Sequence, residues 1–226
     1  MIIGLIILGI VSLLFLFGLL KSVLIRTQIP YWAMFIILAS FTISAFLPSI
    51  KIGVVLVSPS TFLLPLILSI VFFIKAIYAQ ETLPFFLTCI ISSTVVVAFE
   101  LLLFGQGAIS DVFASVFLGV IVGAIAFVIT PSAVSALSGI LGGFVLGQAV
   151  TGFVNYTNNA QNFIFGSQNL FSGIIIALTC ALAVGVAFSK MSTKVGESIV
   201  KRSNYMSEQS EETYDDAVFY DDFFRQ

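Results

Sequence analysis

Histidine is absent from all 226 residues. Its absence removes histidine-ligated zinc of the His-Glu-x-x-His kind and every serine–histidine nucleophile pair. Aspartate is almost as scarce where it would matter, since Asp111 is the only one before the C-terminal tail; an aspartate dyad inside a membrane is therefore excluded. Serine–lysine chemistry needs a lysine at depth beside a serine, and Lys75 lies near enough to the end of its apolar run to snorkel out. The two cysteines, Cys89 and Cys180, fall inside apolar runs. They read as small buried side chains rather than a disulfide or metal pair, and they carry no signal of redox compartment. No basic patch stands outside the membrane flanks, so a nucleic-acid partner is set aside. The expectation from these absences is a protein that is not an enzyme, with no catalytic residue, no cofactor and no metal.

Charge is the other shortage: charged residues are 9% of the chain, against roughly a quarter in soluble domains. Hydrophobic residues make up 59%, more than a water-soluble surface of this size could cover. The charges are uneven, with seven in residues 1–189 and thirteen in 190–226. The chain therefore divides into a transmembrane domain at 1–189 and a charged cytoplasmic tail at 190–226, too polar and too short to fold alone.

Apolar runs fall at 2–20, 31–49, 54–78, 84–104, 111–130, 132–150 and 171–189. About twenty such residues cross roughly 30 Å of hydrocarbon as a helix. Lipid leaves no alternative partner for the backbone, and the runs lack the alternation of a membrane barrel. The expected fold is all-α, a polytopic transmembrane helix bundle of about seven spans. The first run has no Lys or Arg before Lys21 and no small-residue cleavage site after it, so it reads as a retained span rather than a signal peptide. Lys21, Arg26, Lys75, Lys190, Lys194, Lys201 and Arg202 share one side of a seven-span topology, leaving Lys51 on the other. The positive-inside rule then puts the N-terminus outside and the C-terminus in the cytoplasm, in a multi-pass protein of the cell membrane.

Two segments depart from a simple span. The third run carries Ser58-Pro59-Ser60 and Pro65; proline removes a backbone donor, so a short extended piece followed by a helix from about Thr61 is expected. The fifth and sixth runs meet at Thr130-Pro131-Ser132 in a tight hairpin. Between the sixth and seventh runs, Thr151–Leu170 is rich in Asn and Gln with interspersed aromatics. It reads as the longest external loop, lying in the headgroup layer, with a ligand-binding cap as the alternative.

Small residues recur at every fourth position in the last three runs: Ser115, Gly119, Gly123; Ser135, Gly139, Gly143, Gly147; and Gly173, Ala177, Ala181, Gly185, Ser189. Such stripes let helix backbones approach closely. A compact three-helix unit in the C-terminal half is expected from them. A face between copies in a homo-oligomer, or a sliding surface in a transporter, is the alternative use.

Candidate polar sites are few. Glu100 lies about a turn inside the external end of the fourth run, where an ionisable group is costly and often functional. Lys51 falls on the same side, so a Glu100–Lys51 pair, or Glu100 as a cation or proton site, stands beside the plainer reading of a carboxylate reaching the interface alone. The broken run Val57-Ser58-Pro59-Ser60-Thr61, with Ser58 and Ser60 foremost, could present hydroxyls and free backbone groups to an ion or solute, as discontinuous helices do in transporters; a simple kink is the alternative, and no inverted partner for the segment is visible in the second half. In the tail, basic residues suit anionic headgroups, and Tyr214, Phe219 and Tyr220 among acidic neighbours suit docking to a cytoplasmic protein, against a merely solvated tail.

The Ile-Gly-Leu-Ile-Ile-Leu run at Ile3–Leu8, the proline-bearing Val57–Leu68, the glycine-rich Ala136–Gly147 and the stretch Phe165–Ala183 together resemble an uncharacterised prokaryotic membrane protein family, domain of unknown function 1614. The resemblance covers 1–189 and excludes the tail. It departs at Ser60-Thr61, where the family carries a glycine pair, and at Gly166-Ser167-Gln168-Asn169, where the family has an aspartate. It implies a membrane topology and a prokaryotic membrane location, and lends no activity.

Two functions follow as expectations. The first is a non-enzymatic scaffold or regulator of a membrane assembly, embedded in the lipid bilayer and contacting its partner through the tail, favoured by the poverty of polar residues at depth. The second is a small-solute or ion transporter or channel using the broken third segment and Glu100.

Overall fold

The computed structural model describes residues 2–18, 30–78, 80–103, 111–130, 132–158 and 163–183. Gly185 and the tail residues Tyr214, Phe219 and Tyr220 lie outside them. The described chain is mostly helical. In order it runs α1 (Ile2–Leu16), α2 (Tyr31–Phe46), strands β1 (Ile50–Ile52) and β2 (Val55–Val57), a π-helical turn at Pro59–Leu63, α3 (Leu64–Tyr78), α4 (Thr82–Leu102), α5 (Asp111–Ile129), α6 (Ala133–Thr157), β3 (Phe163–Phe165) and α7 (Leu170–Ala183). Each apolar run of the sequence holds one of these helices. Four segments, Pro59–Tyr78, Thr82–Leu102, Asp111–Ile129 and Ala133–Thr157, are long and apolar enough to cross a membrane; α1, α2 and α7 are shorter.

Polar contacts at the helix ends set the relative directions. The start of α1 meets the start of α7, where Gly4 N donates to Ser172 Oγ at 3.1 Å. The start of α5 meets the same place, through Asn169 Nδ2 on Asp111 Oδ2 at 3.0 Å. At the far side the start of α4 meets the start of α6, with the Ser135 hydroxyl donating to Glu81. The end of α1 meets the start of α2, where Tyr31 donates to the Phe15 carbonyl at 3.1 Å and the two rings stack at 4.1 Å. Hence α1, α5 and α7 run one way, and α2, α4 and α6 the other.

The centre of the bundle is α6. In its most apolar stretch 72% of residues are buried, against 28–39% in the other three long helices. A buried helix needs an interior without charge and with small residues at close contacts, and α6 has both. Its glycine stripe, however, does not build the three-helix unit expected from the sequence. A Cβ on Gly139 would stand 2.7 Å from Thr88 Cβ and one on Gly147 2.7 Å from Val96 Cγ1, while Gly143 abuts Ser92. The stripe therefore faces α4. The stripes of α5 and α7 do meet each other: a Cβ on Gly119 would lie 2.7 Å from the Gly173 carbonyl, and one on Gly123 2.7 Å from that of Ala177. Both seams join helices that run parallel, with small residues letting the backbones approach closely. On another face of α6, Ser69 and Ser138 exchange hydrogen bonds with each other's carbonyls at 3.2 and 3.1 Å, joining α3.

The fold is not purely helical. β1, β2 and β3 form a small sheet in that order, β1 antiparallel to β2 and β3 parallel to β2. This corrects the surface-loop reading of Thr151–Leu170. Residues up to Thr157 continue α6, and Phe163–Phe165 pair with Val55–Val57. An extended segment leaves backbone groups that need partners; here the broken third run and the Asn-rich segment pair with each other. The register that sets Val55 opposite Phe163 also lays α1, α2 and α3 over α5, α6 and α7. Two helices, extended chain and a further helix thus occur on either side of α4, with two strands, β1 and β2, in the first half and one, β3, in the second.

Candidate functional site

Proline builds the site's first wall. Pro65 has no N–H to give the Thr61 carbonyl four residues earlier, and the chain enters the helix through a wider turn, with Leu63 N bonded to the Ser58 carbonyl at 3.2 Å and Leu64 N to that of Pro59. The Thr61 carbonyl is taken instead by Gln148 Nε2 of α6, at 3.0 Å. Because a carbonyl can only accept, this bond fixes the amide's orientation and turns Gln148 Oε1 the other way. Oε1 is buried and has no hydrogen-bond partner among the described residues, and the same holds for Thr61 Oγ1.

The second wall comes from β3. Ser58 N donates to the Phe165 carbonyl at 2.8 Å, and Phe163 N to the Val54 carbonyl at 2.8 Å, closing the parallel pair. Directly after it, Gly166 adopts φ +97, a conformation that favours glycine. Its missing side chain also matters: a Cβ there would lie 2.5 Å from Thr61 Oγ1, 2.7 Å from Ser58 Cβ and 3.3 Å from Gln148 Oε1. Glycine is what lets the two interrupted segments and Gln148 converge. Ser58 and Ser60, both buried, approach each other at 3.4 Å between hydroxyl oxygens.

The third wall is the C-terminal part of α4 and α6. Gln148, Thr151 and Asn155 share one face of α6 by their spacing, and with Glu100, Ile164, Gly166 and Ser167 they line a cavity of about 330 Å³. The Thr151 hydroxyl donates to Glu100. Glu100 is the one ionisable side chain of this lining.

The sequence candidates are thus brought together in part. Ser58, Ser60 and Glu100 border one polar region. Lys51 does not join it: it lies on the exposed strand β1 opposite Leu56, and the partner of Glu100 is Thr151 rather than Lys51. Sequence reasoning missed Gln148, Thr151 and Gly166, whereas Thr61 stands in the broken run that it singled out. The signal for Gln148 was available, since it is the only side-chain amide in the sixth apolar run and an amide in lipid needs a partner.

Two other places set this cavity apart. Between α1, α2, α3, α6 and α7 lies a space of about 70 Å³ walled almost wholly by apolar side chains such as Leu8, Leu38, Phe72 and Leu141, unsuited to a polar solute. Near Asp111 a second polar group forms, but there Asn169 donates to Asp111, and Ser115 Oγ lies 2.7 Å from the Asn169 carbonyl, so its principal groups are already paired. Buried polar atoms without partners cost about 1–3 kcal/mol each; Gln148, which lines the Glu100 cavity, and Thr61, against Gly166, each hold one, as do Thr88 and Ser92 between α4 and α6. Among the described residues no group of three His, Cys, Asp or Glu is placed to hold a metal ion. No family model, curated protein or solved structure matches the chain.

Proposed function

We propose that the chain is a transporter or channel for a small polar solute or ion, crossing the cell membrane seven times with its N-terminus outside and its tail in the cytoplasm. The observation that carries this reading is the meeting of two interrupted segments, β2 with its π-helical turn and β3 with Gly166, at the polar cavity beside Glu100. Irregular backbone at membrane depth is tolerated where it lines a cavity, and transporters place their sites at such breaks. The recurrence of two helices, extended chain and a further helix on either side of α4 suits a protein built from two parallel repeats, one of the known transporter plans. Unpartnered buried oxygens also occur in the packed seam, at Thr88 and Ser92; Gln148 differs in lining a cavity together with a carboxylate. The scaffold expectation drew on a poverty of polar groups at depth. Thr61, Gln148, Thr151 and Ser58, all buried, supply such groups.

In this reading Gln148 and Thr61 contact the solute from the inner end of the cavity, and Glu100 supplies a negative charge towards its mouth. Gln148 lies nine residues before the end of α6, ~14 Å along the helix axis at 1.5 Å per residue, about half the thickness of the hydrocarbon layer. The test is flux in reconstituted vesicles, read by swelling in glycerol, urea and amino acids and by a potential-sensitive dye under Na+ and K+ gradients. Wild-type vesicles are expected to pass at least one of these solutes, and Glu100→Gln, which keeps a hydrogen-bond acceptor for Thr151 but removes the charge, to lower that flux by about tenfold. Vesicles as tight as protein-free ones to every solute would sink the reading.

A further inference from the structure

We infer that the polar cluster of Thr61, Gln148 and Glu100 binds a single dehydrated alkali-metal cation; the inference rests on the transport reading and deepens it by naming the ion class. The first ground is the orphaned pair of oxygens. Thr61 Oγ1 and Gln148 Oε1 belong to side chains 0% and 1% exposed, and neither has a partner. They lie 2.5 and 3.3 Å from the same point, the vacant Cβ position of Gly166. The two are therefore no more than 5.8 Å apart, the sum of those distances. One cation with oxygen ligands at about 2.4 Å can engage both after small side-chain adjustments.

The second ground is the chemistry of the donors. Amide, hydroxyl and carboxylate oxygens, with no imidazole or thiolate beside them, suit a hard cation. Charge then separates the classes. Glu100 is the one ionisable group lining the cavity, so a monovalent ion is balanced and a divalent one would leave a net positive charge in low dielectric. An anionic solute is disfavoured by the same carboxylate. A hydrogen-bond donor could satisfy the two oxygens instead, and a buried water is the competing occupant; water gives no dependence on the identity of the salt.

The experiment is a thermal melt of the full-length protein in detergent, followed by circular dichroism, with LiCl, NaCl or KCl titrated against choline chloride at constant ionic strength. A ligand bound only by the folded state raises Tm saturably. One alkali cation is expected to do so, with Thr61→Val and Gln148→Leu weakening the apparent affinity by about tenfold or more and Thr61→Ser retaining it. Should Gln148→Leu fail to fold, the Thr61 pair alone decides. Equal Tm in every salt, or a saturable shift of the same midpoint in wild type and Thr61→Val, would overturn the inference. The vesicle assay separates the two claims: a cation shift lost in Thr61→Val supports the ion site even if no flux is found, and flux without any salt-specific shift removes the ion site and leaves transport standing.

Discussion

One helix, α6, shows two opposite solutions to the same problem of burying a backbone in lipid. Towards α4 it presents Gly139, Gly143 and Gly147, and the helices close until their backbones touch. Towards the π-helical turn and β3 it presents Gln148, which lines a cavity and keeps its Oε1 unpartnered. The seam makes a rigid reference; the polar face spends stability to keep groups available. The seam also holds buried hydroxyls without partners, Thr88 Oγ1 and Ser92 Oγ, so what sets the second face apart is the cavity and the carboxylate that lines it.

The seam is the place to break that contrast most severely. Gly143→Ala drives a methyl into Ser92 and the α4 backbone and is expected to destabilise the fold by about 3 kcal/mol, read by denaturant titration in mixed micelles. Gly9→Ala is the control, because nothing lies within 4 Å of its vacant Cβ position; it should leave stability within about 0.5 kcal/mol of wild type. Next in size is Gly166→Ala, which combines an unfavourable φ with a methyl placed against Thr61 Oγ1. A loss of about 1–2 kcal/mol is expected from the backbone alone, together with abolished flux. If flux survives, the cavity beside Gly166 is not the route.

Gln148→Leu sharpens the comparison from the other side. It converts the polar face into one like the seam, at a stability loss of about 1–2 kcal/mol for the Thr61 carbonyl left without its donor, while flux falls by about tenfold or more. The smallest effect is expected from Lys51→Ala: the side chain stands on an exposed edge strand away from Glu100, so flux should stay within about twofold of wild type, a difference of under 1 kcal/mol.

Much of the helical fold was legible in the sequence because length and hydropathy are properties of a run, and the runs at 84–104 and 111–130 became Thr82–Leu102 and Asp111–Ile129 almost residue for residue. The break in the third run was legible too, since Pro59 and Pro65 act locally. Partnership was not. Nothing in Val55–Val57 or Phe163–Phe165 states that they lie side by side, because strand pairing is decided by three-dimensional proximity rather than by either segment's composition. The glycine stripes showed that close contacts exist but not between which helices, and so the stripe of α6 was assigned to the wrong neighbours. Glu100 was found because charge in lipid is conspicuous. Gln148 was passed over because a neutral amide is not, although the missing N–H of Pro65 gives it a partner that could have been sought.

The parallel pairing of β2 and β3 works as a clasp. It fastens the entry of α3 to the entry of α7 through the Ser58 to Phe165 and Phe163 to Val54 bonds, so any rearrangement that parted those two helices would have to break main-chain bonds. Between the clasped turn and α6, by contrast, stands the single bond from Gln148 Nε2 to the Thr61 carbonyl, which a side-chain rotation can release. The turn is thus tied to the sheet by main-chain bonds and to α6 by one side-chain bond, while α3 beyond it is held to α6 again through Ser69 and Ser138.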